Sequence, residues 1–489
     1  MRATFEANHS NMSFFDPILT RRILGLSAPV MLAMLTQTLI NQVDHVLVGH
    51  LPQAESTPGQ TALQISVILL WAFGGMLAAI SVGTQALAAR RIGAGDIEGA
   101  GAVSTNSQLL AVVASIIVTA FTYAMAPKLF RLMNKDPAVI ALGVPFLRWR
   151  FLQITSMVWT ASLKSFFDGL GKTRVHMGVA IVMNIANFLM CIAFIYGPDQ
   201  PGIPVVDGIH SLLLSMFGDK LVHMGVPGAG LASMLSSYVG LFIMLGWSLR
   251  GEYRKFHIRR VTNASASTIW QIAKLSVPSG IATMFAMGGF GFVLYVVSRL
   301  DHMAGHGVGR TIFSTATSNI INVLQIVFIS CLAYGTATAT LVSQNMGATE
   351  YDLAERFAYQ AARIGAVLFL VLGLILAAWA EPILHFWNPD PDVIAVGAPI
   401  LRVLGFFCPL ISVALVFTQA LYGAGNTMFV MVAEGILHFS CLIPMSWLAG
   451  ITFGLGMWGV WGSLIFYIAM LAVVMFIEFR RGHWKHIRI

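Results

Sequence analysis

Long apolar runs separated by short polar joints dominate this chain of 489 residues. A helix that crosses a bilayer takes about 20 mostly apolar residues. Twelve stretches reach that length: 23–49, 61–88, 103–127, 141–167, 175–197, 226–249, 269–298, 311–344, 357–379, 396–422, 427–449 and 457–478. Gly and Pro interrupt several of them, which membrane helices tolerate because neighbouring helices re-satisfy the backbone. Inside the first run Gln37, Asn41, Asp44 and His45 fall at i, i+4, i+7 and i+8, on one helical face, while the other faces are Leu, Ile and Val. The pattern predicts an all-α membrane protein with about twelve transmembrane helices.

Two distant stretches then match. NKDPAVIALGVPFLR (134–148) aligns with NPDPDVIAVGAPILR (388–402), with ten of fifteen positions identical and residue 134 moving to 388, a shift of 254. The same shift carries RIGAGD (91–96) onto NMGATE (345–350) and DGLGKT (168–173) onto YGAGNT (422–427); a slightly shorter one carries LSAPV (26–30) onto LSVPS (275–279). A near-constant offset over several helices indicates duplication. Six spans per copy bring each copy back to its starting side, so the two six-helix repeats are parallel, with a ligand cleft expected between them near the midplane. The chain divides into a cytoplasmic N-terminal segment (1–22), an N-lobe (23–249) with an outer insertion (199–224), a cytoplasmic linker (250–268), a C-lobe (269–478) and a basic cytoplasmic tail (479–489). Within the insertion, HSLLLSMFGDKLVHM reads as a short amphipathic helix on the outer face.

Composition sharpens this picture. Residues are 57% hydrophobic and only 10% charged, where a soluble protein carries roughly 25% charged residues. The net charge of +8 does not point to nucleic acid, because the basic residues sit at the ends of apolar runs. Arg21, Arg22, Arg90, Arg91, Lys172, Arg174, Arg356, the set Arg250, Arg254, Lys255, Arg259 and Arg260, and the tail fall on one side; the other, with Lys128, Arg131, Arg148 and Arg150 among others, is poorer. That bias places both termini in the cytoplasm of a multi-pass protein of the cell (inner) membrane. The polar N-terminus lacks a cleavable signal pattern. The four cysteines lie in apolar runs without metal or disulfide spacing and read as packing.

A two-lobed membrane protein with a central cleft, and no nucleotide-binding fingerprint, suggests a secondary transporter. Asp44 is its foremost candidate. A charge at the centre of a membrane helix costs about 2.5–3.5 kcal/mol on insertion scales, so its stripe must face protein or a wet cavity. Burial and a nearby cation act in opposite senses on a carboxylate's proton affinity, and such a group is able to exchange a proton for another cation. Asn184, Asn187 and Gln153 offer neutral oxygens nearby. The alternative for Asp44 is a neutral, hydrogen-bonded residue that ties helices together. In the second half Glu434 and His438 stand one turn apart and suit a proton relay. Asn319, Asn322 and Gln325 make a polar stripe at i, i+3 and i+6, and Trp159 and Tyr295, with Trp71 and Phe166, offer π-faces for a cationic ligand. Lys164 and Asp168 read as an ion pair.

Pro29, Asp44 and Gly49 in the first helix, the Gly93-Ala94 and Gly347-Ala348 turns, the GLGKT and GAGNT turns and the duplicated layout together resemble the multidrug and toxic compound extrusion (MATE) family, over about 20–478. The resemblance implies an antiporter that exports organic cations and other amphipathic compounds in exchange for protons or sodium ions, with Asp44 binding the coupling cation. Two branches of that family carry further acids, in helices seven and ten or in helix five; here 275–298 and 396–422 contain none, and helix five offers Asn184 and Asn187 instead.

The expectation is therefore a monomeric, cofactor-free exporter of small amphipathic or cationic substrates, surrounded by lipid, working by rocking of its lobes with H+ or Na+ as the coupling ion. Cation coupling falls to Asp44, Asn184, Asn187, Glu434 and His438; the substrate cleft falls to Gln37, Asn41, His45, Asn319, Asn322, Gln325, Tyr295 and Trp159. The runner-up is a flippase of lipid-linked or other large amphiphiles, which needs basic groups in the cleft. An enzyme would need a nucleophile–base set or clustered metal ligands; His302 and His306 come nearest, beside Asp301, in a Gly-rich loop.

Overall fold

A computed structural model describes residues 15–134, 136–199, 201–218, 223–258, 260–305, 312–388 and 390–487, with side chains at all of these except 37, 39–43, 53, 54, 57, 204, 205, 217 and 261. The described residues are almost wholly helical and contain no strand. The twelve apolar runs are twelve helices long enough to span a membrane: α1 (Pro17–Gly49), α2 (Pro58–Gly93), α3 (Ile97–Met133), α4 (Pro137–Gly169), α5 (Arg174–Tyr196), α6 (Val226–Ser248), α7 (Ala266–Ala304), α8 (Ile312–Gly347), α9 (Tyr351–Ala378), α10 (Pro391–Ala424), α11 (Thr427–Thr452) and α12 (Gly456–Arg481). A π-helical turn, Trp71–Gly75, interrupts α2, and two more, His438–Leu442 and Leu448–Thr452, interrupt α11. Such turns gather at functional sites. The insertion between α5 and α6 holds a helix at Pro204–Phe217, which begins earlier than the sequence pattern suggested and ends at Gly218, where φ is +54°.

The repeated sequence builds repeated local structure. Asn134 Oδ1 accepts from the Asp136 amide at 2.7 Å, Asp136 Oδ1 accepts from the Ala138 amide at 2.9 Å, and Pro137 opens α4. At the matching positions Asn388 Oδ1 accepts from the Asp390 amide at 2.8 Å, Asp390 Oδ1 accepts from the Asp392 amide at 3.0 Å, and Pro391 opens α10. Each Asn-x-Asp-Pro thus satisfies the free donors of a helix start and places a residue that has none to lose at its first position. The long helices so launched are the hubs: α2, α3 and α6 pack on α4, and α8, α9 and α12 pack on α10. In each repeat the fifth helix packs on the sixth, α5 on α6 and α11 on α12. Gly169 of α4 lies against the Gln85 carbonyl, and Gly423 of α10, its repeat counterpart, against the Ala339 carbonyl; an added Cβ would stand 3.1 and 2.4 Å from those oxygens. Small residues at helix crossings let backbones approach in this way where lipid supplies no hydrophobic drive.

The residues form two compact units: the described part of Met1–Met31 with Phe285–Ile489, and Leu32–Met284. The amino-terminal turns of α1 belong to the first. There Arg356 donates to Asp16 at 3.3 Å, Gln360 Nε2 donates to Thr20 Oγ1 at 3.1 Å, and Arg22 lies 5.5 Å from the Phe357 ring.

One position breaks the repeat's backbone logic. Gly95, after α2, adopts φ +78°, and its counterpart Thr349, after α8, holds φ +61° with a side chain in place. A residue with a Cβ in that region costs about 1–2 kcal/mol. Thr349→Gly is therefore expected to raise the thermal midpoint of the detergent-purified protein by about 1–2 °C, read by tryptophan fluorescence, and Gly95→Ala to lower it. An unchanged midpoint for both would show that neither turn limits stability.

Candidate functional site

Within the unit Leu32–Met284 a polar cluster gathers on three helices. Asp44 lies five residues before the end of α1 and is 5% exposed. Its Oδ1 accepts from the Cys191 thiol of α5 at 3.2 Å, and its Oδ2 accepts from the Ser233 hydroxyl of α6 at 3.2 Å. Asn187 closes the ring. Its Nδ2 donates to Ser233 Oγ at 3.3 Å, and its Oδ1 lies 3.9 Å from Cys191 Sγ. Asn187 and Cys191 are four residues apart and so share a face of α5, with Asn184 one turn earlier. The cluster is seated on an apolar floor that includes Leu47, Ile192, Ile195 and Tyr196, and the Tyr196 hydroxyl donates to the Leu47 carbonyl at 2.7 Å, fixing α1 to α5 just beyond the carboxylate.

Arg150 adds a buried cation to this unit's interior. It stands thirteen residues into α4 and is 7% exposed. Its charge acts on both Asp44 and His45. No direct ion pair joins it to Asp44 among the described residues. The sequence had placed it at the outer end of a span, but α4 is 33 residues long. At 1.5 Å per residue that is longer than a bilayer core of about 30 Å, and Arg150, thirteen positions in, is buried within its unit rather than at the helix end.

The structure brings Asp44 and Asn187 together and adds Cys191, Ser233 and Arg150, none of which sequence reasoning singled out. Cys191 carried a usable signal, since it continues the Asn184–Asn187 face; Ser233 is one of several serines on α6 and carried none. Asn184 makes no hydrogen bond to Asp44, and its Nδ2 is buried without a partner, as is Gln153 Oε1. His45 is half-buried. The Trp159 indole donates to Gln108 Oε1 at 3.2 Å, which ties that ring to α3. The side chains of Gln37 and Asn41 lie outside the described residues.

The other unit holds a second cluster. His438, buried at the first π-turn of α11, lies with its Nδ1 2.8 Å from the Glu434 backbone carbonyl, so Nδ1 carries the proton and donates to it. The Glu434 carboxylate is therefore not the group that orients the ring. The Tyr467 hydroxyl of α12 is 3.3 Å from the same nitrogen, with ring centroids 4.6 Å apart. The Cδ2–Nε2 edge of the imidazole faces Gly289 of α7. Glu434 is half-buried, and its charge acts on Tyr467, a residue too distant in sequence to have been paired with it. Tyr295 stacks on Trp447 of α11, centroids 6.4 Å apart and planes 11° apart, with Phe292 against both; Tyr295 is 52% exposed, so this small wall keeps a free aromatic face. On α8 Asn319 is buried, Asn322 half-buried and Gln325 exposed.

Lys164 and Asp168 form the expected ion pair, at 3.1 Å. Among the described residues no three of His, Cys, Asp and Glu converge as metal ligands; His302 is described and His306 lies outside the described residues.

Comparison with known proteins agrees with this architecture. A family model described as MatE matches residues 29–193 and 278–448, its two copies opening on Pro29 and Pro278 of the duplicated pentapeptides. The chain is 24% identical over 475 residues to a probable multidrug resistance protein, NorM, of Thermotoga maritima, covering 96% of this chain and 94% of that protein. It is 24% identical over 480 residues to the multidrug resistance protein PmpM of Pseudomonas aeruginosa, covering 96% and 92%. The outward-facing structure of a multidrug resistance MATE family transporter superposes with a TM-score of 0.79 at 19% identity, covering 95% of this chain and 96% of that one.

Proposed function

The chain belongs to the MatE family, and from that premise we propose that it is a secondary antiporter of the cell (inner) membrane. In this reading it exports amphipathic, organic-cation-type drugs or toxins in exchange for protons, with both termini cytoplasmic and its two lobes rocking to alternate access. The observation that carries the reading is the Asp44 carboxylate, removed from solvent near the end of α1 and met, among the described residues, by the neutral donors Cys191 and Ser233.

Such a group serves two cargoes in turn. Ionised, it accepts from the thiol and the hydroxyl and attracts a substrate cation. Protonated, its own O–H donates, and Ser233 Oγ, which also accepts from Asn187, is placed to receive it. Proton uptake from outside therefore displaces the substrate cation, and proton release inside restores the charge for the next one. Sodium fits less well. Hard cations take several oxygen ligands, and this cluster offers the carboxylate, Ser233 Oγ and Asn187 Oδ1, with a soft thiol in the remaining position. In the other unit, Glu434, His438 and Tyr467 are available as a second proton station.

The flippase reading has one observation in its favour, the buried cation Arg150, but a single arginine set beside a carboxylate is a poor match for a phosphate-bearing headgroup. Efflux of a fluorescent organic cation from proteoliposomes decides the coupling. An imposed pH gradient without sodium is expected to drive efflux, and a sodium gradient at uniform pH is not. Efflux under sodium alone would overturn proton coupling, and efflux under neither would overturn antiport.

A further inference from the structure

Arg150 is left with unused capacity. Its guanidinium carries five N–H donors in a fixed fork. Among the described residues it makes no hydrogen bond and no ion pair, and its Nε is buried without a partner. The ring of Phe146, one turn earlier on α4, lies 5.9 Å from its Cζ. Leaving a buried charge without hydrogen bonds is costly, and the group that best fills such a fork is a planar oxyanion held by two parallel bonds. The surroundings are short of partners in the same sense. Gln153 Oε1, one turn further along α4, and Asn184 Nδ2, one turn from Asn187 on α5, are also buried and unpaired. Three polar groups without partners on α4 and α5, in the unit whose carboxylate already has partners, leave hydrogen-bonding capacity for something the protein does not itself supply.

Charge balance says what that is. Asp44 and Arg150 together sum to zero. A simple organic cation seated at Asp44 would make the interior positive and leave Arg150 unmatched. A free acid seated at Arg150 would not compete for Asp44, so a proton there would help it bind rather than drive it off, which is the wrong sign for exchange. A molecule with both charges satisfies each group, keeps the sum at zero, and still yields its place at Asp44 to a proton.

We propose that Arg150 is the acceptor subsite for the carboxylate of zwitterionic amphiphiles, whose cationic group is held at Asp44. This rests on the reading of Asp44 given above and narrows its substrate class.

The probes are rhodamine B, which carries a free carboxylate beside its cationic xanthene, and its ethyl ester, which differs by loss of that negative charge. Binding to the full-length protein in nanodiscs is read by fluorescence polarisation, and efflux is read in proteoliposomes. The parent protein is expected to bind the acid about tenfold or more tightly than the ester. Arg150→Gln is expected to lose that preference, with the acid weakened about tenfold and the ester held or improved as repulsion is removed. Arg150→Lys, which keeps the charge without the fork, is expected to fall between and reports if the glutamine variant does not fold. A parent protein that takes the ester as well as the acid overturns the subsite. So does an equal loss for both dyes in both variants. Export of the ester alone would refute this subsite and leave the antiporter standing; export of neither dye under a pH gradient would count against the antiporter itself.

Discussion

Asp44→Asn is expected to reduce proton-driven efflux on the order of a hundredfold, the effect of losing one charge-assisted interaction worth about 3 kcal/mol. The substitution is nearly isosteric. One amide oxygen still accepts from Cys191 or Ser233, so the helices α1, α5 and α6 keep most of their contact. What is lost is the capacity to carry a proton or attract a cation. A second consequence separates chemistry from folding. With Asp44 neutralised, Arg150 becomes an uncompensated buried charge, so the single variant is also expected to melt earlier than the parent. Adding Arg150→Gln removes that charge, and the double variant is expected to regain thermal stability while remaining inactive. Efflux from proteoliposomes of matched protein content, beside melting curves, checks both halves. Full-rate efflux by a normally inserted Asp44→Asn protein would remove Asp44 from the mechanism.

Gly405→Val is expected to abolish a monodisperse, folded product. Gly405 of α10 and Gly373 of α9 cross backbone to backbone. A Cβ at Gly405 would stand 2.4 Å from the Gly373 carbonyl oxygen and 3.2 Å from the Ala377 amide, and one at Gly373 would stand 2.0 Å from the Gly405 carbonyl oxygen. No flexible side chain is available to move aside, so the two helices must separate, and α10 is the hub on which α8 and α12 also rest. Overpacking costs typically 1–3 kcal/mol, and the backbone character of this contact puts the change at the upper end, about 3 kcal/mol or more. Gly462→Val on α12 is the control, since a Cβ there meets nothing within 4 Å. Size-exclusion profiles of the detergent-solubilised variants read the outcome, and a Gly405→Val protein that elutes and melts like the parent would refute the tight crossing.

The spans were legible because length and apolarity alone decide them, and the duplication was legible because the Asn-x-Asp-Pro starts, bound to cap a helix, tolerate little change. Asp44 was legible because a carboxylate amid Leu, Ile and Val is conspicuous. Its company was not. Cys191 passes for a small hydrophobe, and only its hydrogen bond to Asp44 gives it another part. Arg150 was hidden by the length of α4, which carries charged residues well inward from the point where a span of about 20 residues would have ended. The Glu434–His438 spacing was read correctly as one turn, but the π-turn beginning at His438 directs the ring to a carbonyl and to Tyr467 rather than to the carboxylate.

The anchoring of Asp16, Thr20 and Arg22 by Arg356, Gln360 and Phe357 bears on biogenesis. This segment of α1 waits for its partners until α9 has been synthesised, several hundred codons later. During that delay the insertion machinery or bulk lipid must shelter it. A gene divided within 250–268 would accordingly yield two polypeptides, neither of which matures by itself, and which recover a shared product only when made in the same cell.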